Sequence, residues 1–197
     1  MFTGIVEEVA QVQWLRRTTK SVQLLISSRF GKRVKRGDSI SINGCCLTVT
    51  SHRDDQIGFE LLDETLTRSN LRELKPESKV NVERAMRASA RIDGHLVQGH
   101  VDCVGTVSSM AVHGGDHRLE ILFPPDFSHY VAFKGSICVN GVSLTVAEAH
   151  ESSLVCWIIP FTFENTNLRH LQTGEMVNLE FDILAKYVER MLIRRES

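Results

Sequence analysis

No stretch of the 197-residue chain approaches the roughly 18–20 consecutive apolar residues that a membrane span requires. The longest apolar run, Leu154 to Phe161, is strand-sized and contains Pro160. Charge of one sign is also missing. Lys and Arg number 23 against 24 Asp and Glu, a formal net charge of −1. That balance argues against nucleic acid, whose binders are basic, and against docking on anionic membranes. Cysteine is sparse and unpatterned: Cys45, Cys46, Cys103, Cys138 and Cys156 are odd in number, two are adjacent, and there is no CxxC. Neither a disulfide framework nor a zinc ribbon fits this spacing, so reduced thiols and a cytoplasmic location are expected. The N-terminal MFTGIVEEVAQV has no basic segment and carries Glu7 and Glu8 early, unlike a secretion signal. No GxGxxG nucleotide fingerprint occurs, which excludes a flavin-reductase type of chain that also carries a nucleotide domain.

What is present is a repeat. SISINGCCLTV, from Ser39 to Val49, is matched by SICVNGVSLTV, from Ser136 to Val146, so Asn43 meets Asn140 97 residues on. The same offset aligns Thr65 with Thr162, Asn70-Leu71 with Asn167-Leu168, and Val80-Asn81-Val82-Glu83 with Val177-Asn178-Leu179-Glu180. TGIVEEVAQV aligns with QGHVDCVGTV, where Gly4 meets Gly99. Two halves, residues 1–97 and 98–197, therefore share one plan.

Each half reads as β. Short Val-, Ile- and Thr-rich runs fall at Ile5–Val12, Val22–Ser27, Ser39–Ile42, Cys46–Thr50, Ile57–Leu62 and Val80–Glu83. The second set is Val101–Val107, Leu119–Phe123, Ile137–Val139, Ser143–Ala147, Leu154–Ile159 and Val177–Phe181. Asn43-Gly44 and Asn140-Gly141 are hairpin turns, because both residue types tolerate positive φ. Six short strands per half predict a small closed barrel, which leaves no sheet edge exposed. A short helix is expected after Glu64, with Asn70 near its end. Asp182 can cap a helix over 183–197, in which Leu184, Tyr187, Val188, Met191 and Leu192 share one face. Arg190, Arg194 and Arg195 suit the negative end of its dipole. Such a helix must pack on its own barrels or on copies of itself, and the pattern leaves that open.

MFTGIV, NGCCLTVT, the segment from Glu64 to Leu71, VNVERA, DGHLVQGHVD and NGVSLTV occur in one order along the whole chain, and together they closely resemble the riboflavin synthase family. The resemblance implies two tandem six-stranded Greek-key barrels, each a lumazine-binding module, followed by a helix that assembles a homotrimer. It implies a dismutation of two 6,7-dimethyl-8-ribityllumazine molecules by transfer of a four-carbon unit. The products are riboflavin and 5-amino-6-ribitylaminouracil, and neither metal nor redox cofactor takes part. It places the working site between the N-barrel of one subunit and the C-barrel of its neighbour, and leaves open an enclosing lumazine synthase. The alternative is a non-catalytic carrier of lumazine or flavin.

The repeat and the resemblance together select site residues. His100 is titratable where the first half has Ile5, which marks specialisation for proton transfer or ring contact. His95 is a weaker candidate of the same kind. A metal cluster of His95, His100, Asp102 and Cys103 is disfavoured, because strand alternation scatters those side chains over both faces. Cys46 with Thr48, and Ser143 with Thr145, each share one strand face and form a polar ledge. Cys46 is a candidate nucleophile or donor, with water as the alternative. The resemblance adds Ser39, Lys134 and Asp182. Main chain at Gly4-Ile5-Val6 and Gly99-His100-Val101, with Leu47 and Leu144 beside the ledges, should line the heterocycle. Glu60-Leu61-Leu62-Asp63-Glu64-Thr65 and Ile158-Ile159-Pro160-Phe161-Thr162-Phe163 should close over the ring and its ribityl chain. Here the repeat breaks: Asp63-Glu64 becomes Pro160-Phe161, so the two barrels are expected to hold lumazine with unequal affinity.

Overall fold

A computed structural model describes residues 1–19 and 21–193. Six strands build the first barrel: β1 (Glu8–Arg17), β2 (Val22–Ser27), β3 (Ser39–Ile42), β4 (Cys45–Arg53), β5 (Gln56–Leu61) and β6 (Lys79–Arg84). Six more build the second: β7 (Cys103–His113), β8 (Asp116–Leu122), β9 (Ser136–Val139), β10 (Val142–Ala149), β11 (Ser153–Ile158) and β12 (Met176–Phe181). Both close on themselves with every pairing antiparallel, in the order β1-β2-β5-β4-β3-β6 and its equivalent in the second half. The repeat extends to irregularities. The β4–β5 ladder slips between Val49 and Ser51, and the β10–β11 ladder slips between Val146 and Glu148, each 97 residues on. Between strands lie α1 (Asp63–Arg68) and α2 (Pro160–Glu164), and α3 (Ile183–Ile193) follows β12. None of the described helices is long and apolar enough to cross a membrane.

Alternation decides which side chains fill each barrel. Cys45, Leu47 and Val49 of β4 point inward, and Cys46 and Thr48 point outward. Val142, Leu144 and Val146 of β10 repeat this, with Ser143 and Thr145 outside. Two separate cores result, one per barrel.

The Asn-Gly turns do more than close hairpins. Asn43 and Asn140 both sit at φ +47°, and Gly44 and Gly141 at +81° and +80°. The two turns meet back to back: a Cβ on either glycine would lie 2.8–2.9 Å from the other's backbone nitrogen. Around this contact six buried or nearly buried asparagines join the barrels. Asn167 N–H donates to Asn81 Oδ1 at 2.7 Å, and Asn70 N–H donates to Asn178 Oδ1 at 2.6 Å. Asn81 Nδ2 donates to the Asn140 carbonyl and Asn178 Nδ2 to the Asn43 carbonyl, both at 2.8 Å. A buried amide left without its partner costs about 1–3 kcal/mol, so this lattice fixes one relative placement of the barrels.

Two expectations shift. The first strands start at Glu8 and Cys103, not at Ile5 and Val101. His100 and Asp102 therefore precede β7, and the strand-face argument about them does not apply. Arg194 and Arg195 of the expected helix lie outside the described residues.

Helix α3 caps as expected, with Leu184 N–H donating to Asp182 Oδ1 at 3.0 Å. Polar side chains hold it to the second barrel. Lys186 Nζ is 2.6 Å from Asp102, and Glu189 accepts from Tyr130 Oη and lies 2.8 Å from His129 Nε2. Its apolar residues Leu184, Tyr187, Val188, Met191 and Leu192 are left 56–67% exposed.

Candidate active site

The segment ahead of each barrel crosses to the other one. Gly4 C=O accepts from Ser143 N–H of β10, and Gly99 C=O accepts from Cys46 N–H of β4, both at 2.8 Å. Val6 packs on the second core and Val101 on the first. Phe2 and Val97 tie the two segments together as an antiparallel bridge. The crossing demands glycine at both contacts. Gly4 and Gly99 lie at φ +75° and +81°, and a Cβ on them would sit 2.7 Å from Ser143 Cβ and 2.6 Å from Cys46 Cβ.

Two buried carboxylates hold these segments from beneath. Glu83 of β6 accepts from Thr3 N–H (2.7 Å), Thr3 Oγ1 (2.9 Å) and Gly4 N–H (3.0 Å). Glu180 of β12 accepts from Gln98 N–H (2.6 Å), Gly99 N–H (2.9 Å) and His100 N–H (3.0 Å). Sequence reading did not single them out as site residues. The only signal was the repeat of VNVE as VNLE.

Burial pushes the Glu180 carboxyl up to about 7, against the pull of its N–H donors and of Lys186; Asp102 adds to the rise. Its folded pKa thus exceeds the unfolded value. Its contribution to stability is full below about pH 4.5 and is lost as pH rises through about 7. The full span corresponds to about 3 kcal/mol. The stability margin of wild type over Glu180→Gln should accordingly shrink between pH 5 and pH 8, measured by chemical denaturation. A margin independent of pH would mean that Glu180 ionises as it does in the unfolded chain.

Beside the first barrel, Gly99-His100-Val101 and α1 enclose a cavity of about 240 Å³. Cys45, Cys46, Glu64, Thr65, Arg68 and Ser69 complete its lining. His100 is exposed there, and its backbone is fixed by Glu180. The structure thus brings Cys46, Glu64, Thr65, Gly99, His100 and Val101 together, and adds Arg68, which the sequence did not mark. At the second barrel, Ser143 meets His95 rather than His100: His95 Nδ1 is 2.7 Å from Ser143 Oγ. Burial lowers the pKa of His95, opposed by the nearby Asp182 carboxylate. An imidazole nitrogen at hydrogen-bond distance from a hydroxyl can take a proton from it and return it.

The remaining candidates divide. Thr48 and Thr145 are exposed on their ledges, while Leu47, Leu61, Leu144 and Ile158 point into the cores and offer only main chain. Leu62, Ile159 and Phe161 are exposed, as are Glu60, Asp63 and Pro160, and Thr162 and Phe163 are half-buried. Lys134 is exposed at φ +63°, where the repeat has Gly37 at +90°. A lysine held in the left-handed region costs backbone energy, which is common at functional positions. Ser39 faces a different cleft, of about 610 Å³, with Thr3, Ile5, Arg33, Arg84 and Arg87. Among the described residues no group of three or more His, Cys, Asp or Glu is placed to hold a metal ion.

The comparisons with known proteins agree with this arrangement. Residues 3–85 and 98–182 each match the lumazine binding domain. The chain is 39% identical over 198 residues to the riboflavin synthase of Actinobacillus pleuropneumoniae, covering 100% of this chain and 92% of that protein. It is 42% identical to that of Mycobacterium bovis, covering 98% of each, and 36% identical to that of Bacillus subtilis, covering 98% and 90%. Among solved structures, LumP complexed with riboflavin superposes with a TM-score of 0.85 at 24% identity, over 92% of this chain and 99% of that one. Two lumazine-binding repeats, full-length relatives of one name and a pair of crossed barrel sites place this chain in the riboflavin synthase family.

Proposed function

We propose that the chain is a riboflavin synthase, which dismutates two molecules of 6,7-dimethyl-8-ribityllumazine to riboflavin and 5-amino-6-ribitylaminouracil. The observation that carries this is the pair of repeat-related sites in a chain 36–42% identical, end to end, to riboflavin synthases. Two identical substrates need two similar holders, and fixing both in one geometry makes a bimolecular step effectively unimolecular, worth roughly 7–11 kcal/mol. In this reading His95 and Ser143 relay the proton taken from a 7-methyl group, and Asp182 supports the imidazolium that forms. His100 and Cys46 face the partner ring, where Cys46 or a water adds. Thr48 binds ring oxygens or the polyol, Thr145 and Lys134 bind ring oxygens, and Ser39 reaches the ring held by a neighbouring subunit.

The working unit is a homotrimer in the cytoplasm. The exposed apolar face of α3 and the position of Ser39, away from the first-barrel cavity, support a site completed by a second chain. A LumP-like carrier is the weaker reading, because that likeness stands at 24% identity.

Purified protein mixed with 6,7-dimethyl-8-ribityllumazine alone should release riboflavin at half the molar rate of substrate loss, followed by absorbance. Binding of one lumazine per chain without turnover would make it a carrier.

A further inference from the structure

The two sites share repeat-related positions and differ in their rims and in His95, which lies 2.7 Å from Ser143 Oγ at the second. Cys46, Thr65, Ser69 and Gly99-His100-Val101 at the first are matched by Ser143, Thr162, Thr166 and Gly4-Ile5-Val6 at the second. At the rim, Asp63, Glu64 and Arg68 of α1 give way to Pro160 and Phe161 of α2 and to Asn165 after it. Glu60, on the outer face of β5, gives way to Trp157 on the outer face of β11. The first rim is ionic: Arg17 lies 3.1 Å from Asp63, and Arg68 lies 3.5 Å from Glu64. The second lacks these ion pairs and carries aromatic area instead, with Phe161 71% and Trp157 44% exposed, while Ile159 at 56% only repeats Leu62, 72% exposed at the first rim. The Asn165 amide is already committed to the Phe161 carbonyl at 2.8 Å.

These rims suit different parts of one ligand. Carboxylates and a guanidinium hydrogen-bond a chain of hydroxyls, and such a site rejects an analogue that lacks them. Exposed aromatic side chains offer flat apolar area to a planar bicycle and no partner for a polyol.

Building on the proposed function, we propose that the first-barrel site requires the ribityl chain, whereas the second-barrel site holds the ring through Phe161 and Trp157 and is indifferent to that chain. The second site then accepts lumazines with any small group at position 8.

The test is a calorimetric titration of the intact protein with 6,7-dimethyl-8-ribityllumazine and with 6,7,8-trimethyllumazine, which lacks the chain. The ribityl compound should fill two sites per chain and the trimethyl compound one. Phe161→Glu should weaken trimethyllumazine at least about tenfold, and Glu64→Phe should leave it unchanged while weakening one ribityllumazine step by about tenfold. Both substitutions sit on exposed positions, so the folds are preserved. Trimethyllumazine filling both sites with equal affinity, or binding Phe161→Glu as it binds wild type, overturns the inference alone. Failure of the ribityl compound to bind overturns the proposed function with it.

Discussion

Replacing Gly99 by alanine should lower kcat/KM by about a hundredfold while both barrels remain folded. Two penalties act at that position. The first is conformational, since φ +81° is left-handed space that costs an L side chain roughly 1–2 kcal/mol. The second is steric. The new Cβ would lie 2.6 Å from Cys46 Cβ and 2.8 Å from Cys46 nitrogen, and backbone cannot yield as a flexible side-chain end does. The segment must lift off β4. That breaks the Gly99 carbonyl bond to Cys46 N–H and moves His100, the next residue, away from the cavity it lines. A displacement near 1 Å at reacting groups can cost about a hundredfold in rate. Gly174→Ala separates the two penalties. Gly174 is equally left-handed at φ +91°, but nothing lies within 4 Å of its missing Cβ. Both variants should lose thermal stability from strain, the Gly99 variant more because it also loses its contact with β4, while the Gly174 variant keeps its turnover within about twofold of wild type. Equal turnover in both would show that the crossing segment does not position the chemistry.

That crossing is also where the sequence stopped being legible. The repeat, the Asn-Gly turns and the period-two alternation were enough to give two closed barrels and nearly every strand, because those signals are local. Strand starts were wrong for a local reason with a distant cause. Ile5-Val6 and His100-Val101 alternate like strand residues, yet the left-handed glycines ahead of them turn each segment onto the other barrel. The same crossing explains the site. Cys46 with His100 pairs residues 54 positions apart, and His95 meets Ser143 48 positions on. No periodicity reports such contacts. His95 is the weaker candidate in the sequence because it falls just outside the first strand of its barrel. Glu83 and Glu180 were visible only as repeated letters. Their role depends on three converging donors each, two N–H groups and the Thr3 hydroxyl at Glu83 and three N–H groups at Glu180, which only the folded chain brings together.

The largest effect is expected from α3. Charging its exposed face, with Leu184→Glu, Val188→Lys and Met191→Glu together, should give a folded monomer whose turnover falls by roughly a thousandfold or more. The helix itself should survive. Its cap at Asp182 and its ties through Lys186 to Asp102 and through Glu189 to Tyr130 and His129 lie on side chains the substitutions leave alone. The three apolar residues they replace are more than half exposed in the single chain, so little intrachain burial is lost. On the proposed trimer, what is lost is the contact between copies. There, one lumazine sits on the N-barrel of one subunit and the other on the C-barrel of its neighbour. A monomer keeps both holders and separates them. It should still bind lumazine, and its residual turnover should rise with protein concentration as chains meet by diffusion. Sedimentation analysis and initial rates over a range of protein concentrations read both effects. A monomer with wild-type turnover would place both lumazines within one chain, and would leave the exposed face of α3 without a part in the reaction.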